Sequence, residues 1–137
     1  MNALIDTNVW LDIFLVRQPF APLSGKAISL LDRPEHGLFA GTTTVTTIFY
    51  LVARAKGRAE AHRTIETLLD RCLIAPVDEP VLRSALDSGF DDYEDAVLHG
   101  SAQASGLDTI ITRNPDDFQA SKLRVYTPRE FIASRQS

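Results

Sequence analysis

The chain is poor in cysteine: Cys72 is the only one among 137 residues. A single thiol cannot close an intramolecular bridge, so a small disulfide-stapled scaffold is excluded. Cys72 lies in the apolar stretch LDRCLIAPV and is expected in the core. No apolar run approaches the roughly 18–20 residues that span a bilayer, so no membrane partner is expected. The N-terminus lacks a basic stretch followed by an apolar segment, and without a secretory signal a cytoplasmic location is the expectation. Positive charge is also scarce, with 14 Lys and Arg against 18 Asp and Glu and a net charge of −4. That balance argues against a generic nucleic-acid coat protein, but not against an enzyme that meets nucleic acid through a local basic patch and a bound cation. His36, His62 and His99 are scattered and are expected to be surface or structural residues. Missing too are the G-x-x-x-x-G-K-[ST] nucleotide loop, the G-x-G-x-x-G dinucleotide fingerprint and the G-x-S-x-G nucleophile elbow. DTN at residues 6–8 lacks the second aspartate of the D-x-D phosphatase nucleophile motif.

What remains is an ordinary globular composition, 45% hydrophobic and 23% charged, in a length that suits one domain over residues 1–137. NALID reads as a buried parallel strand, followed by a helix through Val9, Leu11, Ile13 and Phe14. After a break at RQPFAPLSG, Ser24 is expected to cap a helix through KAISLLD that Pro34 stops. GLFAGTT is the second strand. VTTIFYLVARAKG is a helix ending near Gly57, RAEAHRTIETLLDRC is another, and LIAPV is the third strand. Asp78 precedes a short helix in EPVLRSALDSG, DYEDAVLHGSAQASG forms a longer one, and LDTIIT is the fourth strand. LRVYTP gives a short fifth strand before a helix on PREFIASR. Strands separated by helices define an α/β fold with a mainly parallel central sheet flanked by helices.

The acids sit beside the ends of these segments. Asp6 closes the first strand, DDYEDAV puts four carboxylates into residues 91–95, and NPDDF follows the fourth strand. Parallel strands aim their carboxyl ends at one edge, where such residues could meet. Helix capping is the bland explanation: Asp92 with Asp95, and Asn114 with Asp117, both have capping-box spacing. Asp6 is harder to explain so, because a carboxylate ending a buried strand is costly unless paired or bound to metal. Asp12 is either a solvated helix residue or a partner behind the site. Two like charges about 4 Å apart repel by roughly 4 kcal/mol at an effective dielectric of 20, so converging carboxylates call for a cation. With no histidine or cysteine nearby, oxygen-only ligation selects Mg²⁺ or Mn²⁺, which suits phosphate-ester or phosphodiester hydrolysis.

LIDTNVWLD, DYEDAVLHGSA and IITRNPDDF, in this order and spacing, resemble the PIN-domain ribonucleases, and the VapC-type toxins of toxin–antitoxin pairs most closely. RQPFAPLSGKAISLL and TTTVTTIFYLVAR extend the likeness over nearly the whole chain. The resemblance implies Mg²⁺- or Mn²⁺-dependent cleavage of RNA, frequent homodimerisation and neutralisation by a cognate antitoxin protein. Residue by residue, it implies metal-binding and catalytic roles for Asp6, Asp95 and Asp117, with Thr112 and Asn114 completing the catalytic set. Asp92 and Asp116 lie close enough to bind metal through water or only to cap helices. Where the family commonly carries a glutamate this chain has Thr47, which brings no charge. The alternative to a toxin nuclease is therefore a catalytically weak or inactive PIN-like module that binds RNA or a protein partner. A small-molecule phosphatase is a third reading. Arg54, Lys56, Arg58 and Arg63, with Arg113 inside the acidic motif, form either a solvated face or a contact for phosphates or antitoxin.

Overall fold

In a computed structural model that describes residues 1–136, five parallel strands form one sheet in the order β3-β2-β1-β4-β5. Ser137, the last residue of the expected domain, lies outside the described residues. The strands are β1 (Asn2–Ile5), β2 (Gly37–Gly41), β3 (Leu73–Ala75), β4 (Thr109–Ile111) and β5 (Arg124–Tyr126). The helices are α1 (Thr7–Phe14), α2 (Ala21–Leu31), α3 (Thr42–Lys56), α4 (Arg58–Arg71), α5 (Glu79–Ala85), α6 (Tyr93–Ala104) and α7 (Pro128–Ser134), with a 3₁₀ turn at Pro115–Phe118. The architecture is the α/β fold expected from the strand–helix alternation. Among the described residues no helix is long and apolar enough to cross a membrane.

Side chains alternate across the central strands. Ala3 and Ile5 of β1 and Ile111 of β4 face the larger layer, where Val9, Leu11, Leu31, Ile48, Val52 and Leu68 are buried. Leu4 and Ile110 face the other way, onto Leu98 and Ala102 of α6 and onto Phe118. The chain runs outward from β1 through β2 to β3, then returns past β1 to β4. A right-handed crossover that reverses direction must use the opposite face, and α6 lies there. The reversal leaves β1 and β4 adjacent, pairing Ala3 with Thr109 and Ile5 with Ile111. Above their carboxyl ends lies the crevice in which open α/β sheets build their sites.

Three local expectations need correction. Helix α2 starts at Ala21 rather than after Ser24, because Pro22 fits the first turn, where a missing N–H costs nothing. Ser24 is buried inside that helix and caps nothing. Asn114 opens the 3₁₀ turn without a side-chain cap bond; its carbonyl accepts from the Asp117 N–H at 3.0 Å. The reciprocal capping box lies instead at α7, between Thr127 and Glu130. GLFAGTT stops being strand at Gly41, and its threonines belong to α3. Cys72 is buried as expected, and burial pushes its thiol up to about 11.

Gly57 joins α3 to α4 with φ 91° and ψ 162°, and open space surrounds the position of a Cβ. This backbone region is essentially glycine's alone. Gly57→Ala should therefore destabilise the fold by about 1–3 kcal/mol through backbone strain alone. Urea unfolding of the variant, with an unchanged m-value, checks this.

Candidate active site

Asp6 is the first residue past β1 and the N-cap of α1. Its carboxylate is held from two sides. The Thr7 N–H donates to Oδ1 at 2.7 Å, and the Thr112 hydroxyl donates to Oδ2 at 2.8 Å. Thr112 is the first residue past β4 and is fully buried; its N–H donates to the Tyr126 carbonyl at 2.9 Å, and its Oγ1 accepts from the Asn114 N–H at 3.1 Å. The Asp6 N–H donates in turn to the Ile111 carbonyl at 2.9 Å. The ends of β1, β4 and β5 are thus stitched around one carboxylate. Burial raises the Asp6 pKa, the Thr112 and Thr7 hydrogen bonds oppose the rise, and the charges of Asp117 and Glu94 add to it.

A cavity of about 270 Å³ opens above this carboxylate, and Asp95, Asp117, Asp92, Asn114 and Thr47 share its wall. Asp95 and Asp92 arrive on the first turn of α6, where the Asp95 N–H donates to Asp92 Oδ1 at 3.0 Å. Asp92 is therefore both cap and wall. Burial pushes the Asp95 carboxyl up to about 7, helped by the negative charges of Asp6, Asp92, Asp117 and Glu94. Asp117 arrives on the 3₁₀ turn after β4 and is exposed. Asp116 faces a neighbouring acidic cavity shared with Asp91, Asp92, Asp95 and Asp117. Thr47 lies on α3, and its hydroxyl donates to the Thr43 carbonyl at 3.0 Å. Glu94, Thr7, Asn8 and Thr43 also line the cavity. Sequence reasoning singled out none of the four, although Glu94 stood inside the quoted acidic knot. No histidine lines the cavity.

Two residues sit behind the wall rather than in it. Thr112 reaches the cavity only through Asp6. Asp12 is fully buried, which excludes the solvated alternative, and it pairs with Arg113 at 2.8 Å and more distantly with Arg17 at 4.0 Å. Burial raises the Asp12 pKa, and the two guanidinium groups oppose the rise. The Asp12–Arg113 pair ties α1, which starts at Asp6, to the loop carrying Asn114 and Asp117. Arg113 is thereby spoken for and does not extend the basic segment on α3 and α4. There Arg54 lies over the Tyr50 ring, Lys56 donates to the Phe14 carbonyl and Arg63 pairs with Glu60. His62 is exposed and pairs with Glu66; His99 is buried against Phe90, and burial lowers its pKa.

The donor set fits a hard divalent cation in kind: carboxylate, amide and hydroxyl oxygens, with protonation of Asp95 and Asp6 favoured first by burial and then by negative charges that a cation would cancel. Among the described residues, no three Asp, Glu, His or Cys side chains already stand close enough to ligate one ion together. An ion held here would therefore be partly hydrated, as Mg²⁺ prefers, with one or two carboxylates bound directly.

A parallel α/β sheet gathers acids from three parts of the chain over its switch point. A family model described as PIN domain matches residues 2–116, and the chain belongs to the PIN domain family. A search of curated protein sequences finds no match. Among solved structures the chain is similar to VapBC-1 from nontypeable Haemophilus influenzae, with 17% identity, a TM-score of 0.72, and 94% of this chain and 99% of the other covered. It is similar to Mycobacterium tuberculosis VapC20, described as a sarcin–ricin loop cleaving toxin, with 13% identity, a TM-score of 0.71, and 87% and 95% covered. It is also similar to Rickettsia felis VapBC2 bound to a DNA fragment from its promoter, with 16% identity, a TM-score of 0.70, and 91% and 97% covered. At such identities the likeness establishes a shared fold.

The raised Asp95 pKa has a measurable consequence. A carboxyl that is ordinarily near 3.8 and rises to about 7 on folding contributes stability at low pH, lost as the pH climbs through that window. In EDTA, Asp95→Asn should match the wild type near pH 4 and exceed it in Tm by a margin that grows up to about pH 7 and then levels off. Paired melting curves across this range check the sign; a margin independent of pH would remove Asp95 from the repelling cluster.

Proposed function

We propose that residues 1–137 form a single PIN-like domain acting as a metal-dependent endoribonuclease toxin, which hydrolyses RNA phosphodiester bonds and is neutralised by a cognate antitoxin protein. The observation that carries this reading is the meeting of Asp6, Asp95 and Asp117, from three distant parts of the sequence, around one cavity at the sheet's switch point. Asp6, Asp95 and Asp117 would hold Mg²⁺ or Mn²⁺, one or two of them directly and the rest through the ion's own waters, with Asp92 and Asp116 also in reach through water. Such a cation, when bound, neutralises phosphate charge and acidifies a water. The chain's own groups do the rest. Thr112 and the Thr7 N–H keep the Asp6 carboxylate in one orientation. Asp95, raised to about 7 in the metal-free protein, would give up its proton as the ion enters and bind it as a carboxylate. The Asn114 amide offers an uncharged donor to a phosphate oxygen. VapC20 supports RNA as the substrate, and the VapBC complexes support an antitoxin partner. The protein would act as a cytoplasmic homodimer, and exposed Leu82, Leu86 and Tyr93 leave apolar surface for self-association.

Thr47 favours a second reading, a PIN-like module of weak or no activity. It contributes no charge, and its hydroxyl is already engaged with the Thr43 carbonyl. Cleavage of RNA by the purified protein in Mg²⁺ or Mn²⁺, against an EDTA control, separates the two.

For an active enzyme, Thr112→Val should lower cleavage by roughly 10–100-fold, the usual cost of losing a partner that orients a metal ligand. Asp6→Asn should cost more than that while leaving the fold intact, and wild-type rates in Asp6→Asn would remove Asp6 from the site. Thr47→Glu should tighten Mn²⁺ or Mg²⁺ binding in a calorimetric titration, because Thr47 already lines the cavity. Unchanged metal affinity in a folded Thr47→Glu protein would show that this position does not reach the ion.

A further inference from the structure

A third cavity, about 560 Å³ and mainly apolar, lies between the α1–α2 loop and the start of α7. Asn114 lines both this groove and the carboxylate cavity, so the two are neighbours. Phe20 forms one wall and is 39% exposed, unusual for a phenylalanine in a loop between two packed helices. The Arg113 guanidinium lies over its ring, 4.0 Å from the centroid, and the buried Asp12 fixes that guanidinium from behind. Leu23 and the buried Ser24 add to the wall, and Arg129 stands at the rim. Among the described residues no acid pairs with Arg129, so its charge is available to an anion.

We propose that this groove is a base subsite: it takes an unpaired nucleobase of the RNA strand, stacked on Phe20, beside the phosphodiester at the carboxylate cavity. This rests on the nuclease reading above. Single-stranded RNA is recognised by splaying bases onto aromatic rings and guanidinium planes, and Phe20 with Arg113 supplies both in one preformed stack. Asp12 cancels much of the Arg113 charge, which leaves that group a planar platform rather than an anion site. The unpaired Arg129 takes the phosphate role at the rim. An apolar peptide side chain would fit Phe20 and Leu23 but would use neither the planar stack nor Arg129. The arrangement therefore fits a nucleotide better than a protein segment. Phe20 sets which nucleotide next to the cut is gripped, and how tightly.

The test uses the full chain carrying Asp6→Asn, so that RNA is bound but not cut, with a random pool of short fluorescein-labelled single-stranded RNA in Mg²⁺. Adding Phe20→Ala should weaken binding by roughly 5- to 150-fold, the loss typical of one aromatic–base stack. Phe20→Trp should preserve or tighten it. Arg129→Ala should make the slope of log affinity against log salt shallower by about 0.7, one single-strand phosphate contact. A scan of one abasic position along a bound RNA guards against a folding artefact. At the stacked position the abasic change should cost the same factor with Phe20 present and nothing in Phe20→Ala. Equal affinity of the Phe20→Ala protein and its parent overturns the base subsite and leaves the groove to a protein partner. If the parent binds no RNA and the wild type cleaves none, the nuclease reading falls, and the subsite with it.

Discussion

The structure turns on a carboxylate that has no cheap place to be. Asp6 ends the central strand with 7% of its surface exposed, where an unpaired charge costs several kcal/mol. Two neutral donors, the Thr7 N–H and the Thr112 hydroxyl, hold it, and no cation of the protein faces it. Hydrogen bonds of this kind fix orientation without cancelling charge. The chain's cations are kept elsewhere: Arg113 is drawn behind the wall onto Asp12, and Arg54, Lys56 and Arg63 of α3 and α4 are engaged on the outer surface. A site arranged in this way remains short of positive charge.

Topology makes the remaining convergence inexpensive. The reversal between β3 and β4 puts β4 beside β1, and the residues just past both strands must then meet. Asp6 and Thr112 do so at 2.8 Å although 106 residues separate them. Helix α6, sent to the opposite face by the same reversal, brings Asp95 over the same strand ends. The Asp12–Arg113 pair closes the arrangement by fastening the loop that bears Asn114 and Asp117 to the helix that Asp6 begins. The same pair turns Arg113 toward Phe20, so a contact that supports the carboxylate cavity also shapes the groove beside it.

Much of this was legible in the sequence because the signals were local. The strand–helix alternation, the Asp78 and Asp92 caps and Gly57 each follow from a few neighbouring residues. Asp6, Asp92, Asp95 and Asp117, which line the cavity, were found from their places at element ends, whereas Glu94 beside them was not. What escaped depends on tertiary contact. Asp12 has the pattern of any helical acid, so the sequence left a solvated residue and a partner behind the site equally open, and only the arrival of Arg113 decides between them. Ser24 looks like a cap, yet Pro22 lets the helix start earlier. Thr7, Asn8 and Thr43 line the cavity by virtue of helix orientation, for which single-residue patterns carry no signal. The groove beside Phe20 joins segments about a hundred residues apart and has no sequence signature.

The central claim is that burial and mutual repulsion keep these carboxylates from full ionisation until a divalent cation enters, and proton release tests it most directly. Near pH 6.5 an Asp95 carboxyl with a pKa of about 7 is largely protonated. Mn²⁺ titrated calorimetrically into the metal-free protein, in two buffers of different ionisation heat, should expel a substantial fraction of a proton per ion bound, falling toward zero about two pH units higher. Mn²⁺ binding with no proton release at the lower pH would contradict the account, because the carboxylates would then have been ionised before the cation arrived.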